Sequence, residues 1–469
     1  MHKIHLKLKL MSLLTVAAMN AAAPAAEYHV ATEADIARLT GKLQPGDVLV
    51  LADGTWKDQV IILRGSGTAE QPITLRAQTP GQVVLTGKSS VTMDGEHLVV
   101  SGLCLKNGEG AKEGVAIKGA HCRLTETAII GGTYKFFVRL WGSENRVDHC
   151  YLAGKTSESP TLQIEVEDKP NHHQIDHNHF GPRPPLGKNG GETIRVGYSD
   201  QSMRNSGTLV EHNLFDRCDG EIEIISNKSC ENIYRGNTFL DCAGMLTLRH
   251  GNRCRVEGNF LFGHGKKGSG GIRIIGEDHT IINNYVDGVA RGGFWLTAGV
   301  PDSPLNGYFR ARNVVLAFNT VVNSRGPSID LDNGFGNSRR SLRPENITIT
   351  NNLFALASDG TLLQGTEGEG FHWLGNMATA PATTGHKGIR IVDPKLAQSQ
   401  DGLWRPAADS PVRGAAEGDC AAITTDIDGQ PRTGRWDVGC DQVSAGSVLH
   451  RPLTGADVGP AWMPASTRP

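Results

Sequence analysis

The sequence predicts an all-β chain wound as a right-handed parallel β-helix, and three observations carry that prediction. Cys218 with Cys242, and Cys230 with Cys254, are each 24 residues apart. Asparagine recurs before an apolar residue at Asn178, Asn213, Asn237, Asn259, Asn284, Asn319 and Asn352, at intervals of 22 to 35. Between these marks lie short alternating stretches, among them "VAIKG" from 115, "LQIEV" from 162, "TIRVG" from 193, "EIEII" from 221, "LTLRH" from 246 and "GIRII" from 271. Each is a strand by its period of two. A repeat of that length marks a solenoid. No stretch between residues 100 and 360 keeps apolar residues at i, i+3 and i+4 for three turns, which excludes stacked helices. Each coil then adds one rung to stacked parallel sheets.

In chain order, the first 26 residues read as a secretory signal peptide: Lys3, Lys7 and Lys9, an apolar stretch, then the small residues Ala21 to Ala26. No cysteine follows to take a lipid, so the mature protein is expected to be exported, periplasmic or secreted. The remainder, 27–469, reads as one domain. "TEADIARLTGKL", residues 32–43, sets Thr32 three before Asp35, with Ile36 and Leu39 on one face, and predicts a capping helix.

Alternation assigns the inward side chains: Val115 and Ile117, Val138 and Leu140, Leu162 and Ile164, Ile194 and Val196, Ile222 and Ile224, Leu246 and Leu248, Ile272 and Ile274. The asparagines become an internal amide ladder that satisfies buried backbone groups at a turn. The four mid-chain cysteines read as buried, stacked thiols. From about residue 385 to 469 the pattern gives way to Pro/Gly/Asp-rich turns that are expected to cover the last coil, with Cys420 and Cys440 as disulfide candidates. "DIDG" at 426–429 resembles part of a calcium loop but lacks the remaining ligand spacing, and reads as a solvated turn.

Composition narrows the function. Of 469 residues 58 are glycine, and the net charge is -2. That balance gives no reason to expect nucleic acid or an anionic membrane as partner. No apolar run beyond the leader is long enough to span a bilayer.

The outward neighbours form a charged wall: Lys118, Arg139, Gln163 with Glu165, Thr193 with Arg195, Glu221 with Glu223, Thr247 with Arg249, Arg273, and Asp330 with Asp332. Glu221 and Glu223 share a face, where like charges repel unless a cation lies between them. A hard ion such as Ca²⁺ suits oxygen ligands in an open site, and "GKNGGET" on the preceding rung can deliver Asn189 or Glu192. Lys228 stands past the end of the same strand, and Arg249 on the next rung. A cation with flanking basic groups suits removal of a proton next to a carboxylate, because it stabilises the enolate-like state. A lysine disfavoured as ammonium by neighbouring cations can act as the base. Elimination of a 4-linked sugar then cleaves a uronate polymer without water.

These residues also carry a family resemblance. "NGGETIRVG", "EIEIISNKSCENIYRGNTF", "LTLRHGN", "GIRIIGEDHTIINNY" and the closing "PLTGADVGPAW" resemble the motifs of polysaccharide lyase family six, the alginate lyases and chondroitinase B type enzymes. The resemblance implies a right-handed parallel β-helix and calcium-assisted β-elimination of an acidic polysaccharide. It implies Lys228 as general base, and Arg249 as general acid or its equivalent. It implies Asn189, Glu221 and Glu223 as Ca²⁺ ligands. A guanidinium hardly releases its proton, so Arg249 can instead stabilise the leaving oxygen while water supplies the proton. His250, Arg273 and Arg195 are expected substrate contacts. Arg339 and Arg340, in the insertion "NSRRSLRPEN", can grip a carboxylate or a sulfate.

Alginate is the first expectation for the substrate, and chondroitin or dermatan sulfate the alternative. Two other classes fit a polar β-helix. A polygalacturonase-like hydrolase is hinted at by "GHG" at 263–265, but it needs clustered aspartates, and neither "NTD" nor "DD" occurs. A non-catalytic carbohydrate-binding β-helix would have no use for Lys228 and Arg249 in these motifs.

Overall fold

The computed structural model describes residues 25–379, 386–418 and 423–468. The expected signal peptide up to residue 24, and Cys420 of the expected disulfide, lie outside them. Each coil contributes three short strands, as in Arg123–Thr125, Ala128–Gly132 and Phe136–Leu140. Stacked in parallel, they make two sheets of 14 strands and one of 12. Strands that pair one coil apart are joined through the two other strands of the coil, the right-handed winding that parallel crossovers take.

The first sheet, from Glu27–Val30 to His372–Leu374, is termed here the ion-pair sheet, because its outer face carries pairs such as Arg123–Asp148 and Arg146–Asp176, both 2.6 Å. The second, from Gly54–Lys57 to Ile389–Ile391, is the covered sheet. The third, from Val60–Ser66 to Leu363–Gln364, is the groove sheet. Helix α1, Glu33–Leu39, closes the N-terminal end with the expected Thr32–Asp35 capping box and Ile36 buried against the first coils.

The chain passes from the ion-pair sheet to the covered sheet at a tight turn that repeats on every coil. There the residue before each asparagine takes a left-handed conformation, with φ of 52° at His177, 60° at Gly236 and 54° at Asn351. The asparagine then points inward and donates to the side-chain oxygen of the next, at 2.9 to 3.0 Å, from Asn178 through Asn213, Asn237, Asn259, Asn284, Asn319 and Asn352. Asn376 extends the ladder by one rung beyond those expected. The four mid-chain thiols are buried and unbridged, and the Cys242 sulfur accepts the Cys218 N–H at 3.3 Å.

The expected inward pairs line the core, with one exception that matters for the site. On the rung after Ile194 and Val196, Ile225 and Asn227 take the paired positions; Ile224 is still buried in the core as expected, whereas Ile222 is half-buried and lines the groove. The strand Glu223–Lys228 is irregular twice, between Glu223 and Ile225 and between Asn227 and Lys228. The resulting register is three residues off the simple alternation, and an odd slip exchanges the faces. Asn227 is tolerated inside because its amide donates to the His250 and Ser229 carbonyls at 2.6 and 2.9 Å, and its oxygen accepts from Tyr234 at 2.7 Å.

The start of the C-terminal segment covers the last coil as expected, with Ile389–Ile391 pairing with Asn376–Ala378 and Ile389 buried in the core, but the rest runs elsewhere. From there it lies along the covered sheet, where the register aligns Phe260, Tyr285, Thr320, Leu353 and Met377, an outer column that is apolar except at Thr320. Leu403, Ile427, Val412, Val438 and Cys440 pack on that column. The "DIDG" turn is accordingly buried, not solvated: Asp428 pairs with Arg405 at 2.7 Å, and Asp426 accepts the N–H groups of Gln430 and Gln442. The chain then runs back toward the N-terminal coils. Leu453 bonds Thr238, and the Trp462 indole donates to the Glu126 carbonyl at 2.7 Å.

Candidate active site

The irregular strand moves Glu221 and Glu223 to the leading edge of the groove sheet, beside the loop that precedes Ile194. There Glu192 joins them: one carboxylate oxygen from each of Glu192, Glu221 and Glu223 lies within 4.8 Å of the other two. Glu192 is held by its backbone. The buried Arg183 guanidinium donates to the Glu192 carbonyl, to Gly190 O at 3.3 Å and to Ser159 O at 2.9 Å, so it ties two loops together behind the cluster. Asn189, expected among the ligands, stands exposed on that loop, three residues before Glu192.

Three carboxylates at this distance do not remain ionised together. Burial, then Glu192 and Glu223, push the Glu221 carboxyl up to about 8. Glu192 Oε2 and Glu221 Oε1 are buried and without a hydrogen-bond partner among the described residues. Orphaned oxygens and repelling carboxylates fit a hard cation held by Glu192, Glu221 and Glu223. Ser226 fixes one of the three, donating to Glu223 Oε2 at 2.5 Å.

Lys228 ends the irregular strand and pairs with His250 of the next rung. Burial, then the Arg195 and Arg249 charges, press its ammonium below the ordinary lysine value, against the opposing pull of Glu223 and Glu192. Arg249 and Arg273, on successive rungs, approach Glu223 Oε1 at 3.7 and 3.9 Å. Arg195 donates to Gln163 at 2.7 Å, reaches Glu192 at 3.4 Å and stacks on Tyr198. The acid cluster, the lysine and three guanidiniums thus occupy adjacent rungs of one face.

His250 departs from expectation. It is wholly buried, 3.3 Å from an Arg249 nitrogen, and burial with the Arg249 and Lys228 charges holds it neutral, down to about 2. It supports Arg249 from beneath and presents no surface to a substrate. Arg340 reaches the site from its insertion and stacks on Tyr308 at 4.6 Å, whereas Arg339 is exposed with φ of 63° and points to no described partner in the groove. Toward the C-terminal coils the groove widens into a cavity of about 560 Å³ lined by Arg273, Arg291, Trp295, Asp330 and Arg340. Another of about 580 Å³, lined by Trp141, Glu165, Asp168 and Arg204, lies on the other side of the cluster.

Sequence alternation did not find Tyr308, Arg183 or Arg291. All three sit in connections between strands, where the period of two carries no information.

Comparison with known proteins agrees with this geometry. No curated protein matches the chain. A family model described as chondroitinase B matches residues 30–410. The solved alginate lyase AlyGC of polysaccharide lyase family 6 superposes with a TM-score of 0.82 at 35% identity, covering 94% of this chain. This chain spans 59% of the AlyGC chain. A mannuronic acid specific family 6 lyase from human gut microbiota gives 0.71 at 33% identity, over 78% of this chain and 91% of its own. A family 6 polysaccharide lyase from Pseudopedobacter saltans gives 0.74 at 25% identity, over 93% of this chain and 99% of its own. The match over most of its length and the shared β-helix place this chain in the chondroitinase B family, within polysaccharide lyase family six.

Proposed function

We propose that the protein is an exported, calcium-dependent lyase that cleaves a 4-linked uronate polymer, alginate before others, by β-elimination. The observation that carries this reading is Lys228, held below its ordinary basicity by burial and by the Arg195 and Arg249 charges, beside a three-carboxylate cluster. A bound Ca²⁺ would neutralise the sugar carboxylate and so make the neighbouring C5 proton easier to remove. Arg249 and Arg273 would orient that carboxylate through charge-assisted hydrogen bonds. Lys228, neutral in a fraction of molecules at working pH, would take the C5 proton, and the bond to the 4-linked sugar would break as the C4=C5 double bond forms.

Alginate is favoured because the relative at 35% identity is an alginate lyase and the one at 33% is mannuronic acid specific. Chondroitin or dermatan sulfate is the second reading, favoured by the description of the matching family model and by the Arg339–Arg340 pair. The test is incubation of the purified protein with mannuronate-rich, guluronate-rich and sulfated uronate polymers in calcium, following the ultraviolet absorbance of the unsaturated product. An absorbance rise that chelator abolishes and calcium restores is expected. Release of saturated sugars without absorbance would overturn the reading in favour of hydrolysis.

A further inference from the structure

The connection from Gly299 to Arg310 is pinned at both ends. Gly299 exchanges backbone hydrogen bonds with Leu342 at 2.8 and 3.0 Å, and Arg310 pairs with Glu345. Between these anchors the loop is closed on itself. The Val300 N–H donates to the Tyr308 carbonyl at 2.9 Å, and the Gly307 N–H to the Pro304 carbonyl at 2.8 Å. Gly307 leaves no room for a side chain, since a Cβ there would meet Ser303 Oγ at 2.4 Å. Pro301 and Pro304 take further freedom from the backbone. A connection so tied is a fixed arm.

The arm ends on Arg249. The Gly307 carbonyl accepts from Arg249 Nη1 at 2.9 Å, and the Tyr308 ring lies on the guanidinium, with 4.1 Å from its carbon to the ring centroid. Arg340, from the neighbouring insertion, lies 4.6 Å from the same centroid, its guanidinium resting where Gly334 has no side chain. From beneath, His250 Nδ1 stands 3.3 Å from Nη1. A guanidinium offers N–H donors only, on Nε and on both terminal nitrogens. The N–H groups of Nη1 are taken up, by the Gly307 carbonyl and toward His250. Nε faces Glu223 Oε1 at 3.7 Å. Nη2 is left with no hydrogen-bond partner among the described residues.

Resting on the lyase reading above, in which Arg249 serves the departing oxygen, we propose that Tyr308 is a positioning residue of the reaction: with the Gly307 carbonyl it clamps Arg249 so that Nη2 is the nitrogen presented to O4. The physical reason is the length of the arginine side chain. It has many rotamers, and ordering them opposes each encounter with the substrate unless the order is built in beforehand. A guanidinium already in place meets the charge that develops on O4, whereas a misplacement of about 1 Å in such a group costs ~100-fold in rate. Stacking suits the task, because a flat ring fixes the plane of the guanidinium and leaves the N–H groups at its edge free. Tyr308 itself makes and breaks no bond. The C5 proton still goes to Lys228, and Arg249 still serves O4.

The test compares Tyr308→Phe, which keeps the ring, with Tyr308→Leu, which keeps bulk but has no flat face. Tyr308 lies in a connection outside the main core, so both variants keep the coils. The first measurement needs no substrate: phenylglyoxal attacks guanidinium nitrogens, and peptide mass spectrometry reports its rate at Arg249. Modification should be several-fold faster in Tyr308→Leu than in wild type, and close to the wild-type rate in Tyr308→Phe. The second is turnover, in saturating calcium, of whichever uronate polymer the wild type cleaves. Tyr308→Leu is expected to lose kcat by ~10- to 100-fold with KM within a few-fold of wild type. Tyr308→Phe should stay within a few-fold in both. A Tyr308→Phe enzyme as impaired as Tyr308→Leu, full kcat in Tyr308→Leu, or a change confined to KM would overturn the proposal. So would equal modification of Arg249 in all three proteins. A wild type that forms no unsaturated product from any uronate polymer would defeat the lyase reading and the role given to the clamp, whose existence the modification rates report separately.

Discussion

Gly191 and Gly220 pass so close that a Cβ on either would strike the carbonyl oxygen of the other. Glu192 and Glu221 follow these glycines directly, so two bare backbones in contact are what let their carboxylates converge. Gly220→Ala should push the loops apart and weaken calcium binding by ~10-fold or more, comparable to losing a supporting residue of a metal site. Calorimetric titration of the metal-free protein with calcium checks this, and an unchanged affinity would remove the glycines from the account.

Arg183 should act on the same site from behind. Lysine in its place keeps the charge but cannot reach the Glu192, Gly190 and Ser159 carbonyls together. Arg183→Lys is expected to raise the calcium concentration for half-maximal activity by ~10-fold. Turnover at saturating calcium should stay within a few-fold of wild type. A loss of kcat with unchanged calcium dependence would contradict the prediction.

Stability of the metal-free protein should fall as pH rises from about 4.5 to about 8. Glu221 moves from 4.5 up to about 8 on folding, so the fold gains from its protonated form at low pH and loses that gain through this window. Glu221→Gln should flatten the dependence, and so should added calcium. Thermal midpoints measured in chelator from pH 5 to 8.5 report it, and parallel curves for wild type and Glu221→Gln would count against the assignment.

Lys228→Arg should be almost as inactive as Lys228→Ala, each down by ~100-fold or more in kcat, because arginine keeps the charge but supplies no neutral base. In the wild type the rate should rise with pH as the ammonium deprotonates, with its midpoint below the ordinary lysine value. Substantial activity in Lys228→Arg would make the lysine an anchor for the sugar carboxylate.

The β-helix was legible because its period is written in residues that cannot be elsewhere: Asn213, Asn237 and Asn259 bond one another inside the wall, and Cys218 lies under Cys242. The acid cluster and Lys228 were legible as residue types at a spacing. Their register was not. "EIEI" alternates cleanly on paper and the next residues break the pattern, yet nothing in them shows that the fold puts Asn227 inside, because the groups that satisfy it belong to Tyr234, Ser229 and His250. Tyr308 was invisible for a related reason: its position over Arg249 depends on the Gly299–Leu342 bridge between two insertions.

A stack of coils held only by its immediate neighbours can fray from either end, one coil at a time. Here the returning tail changes that. By bonding Trp462 to Glu126, and Arg432 to Asn283, the last part of the chain spans coils that never touch each other, and an opening at one level must also detach the strap that crosses it. These bonds join residues 336 and 149 positions apart, so they form only after most of the chain has been made. The coils can assemble in order as they emerge, but the strap closes over them only once Trp462 has been made, and a chain stopped short of it would lack that latch.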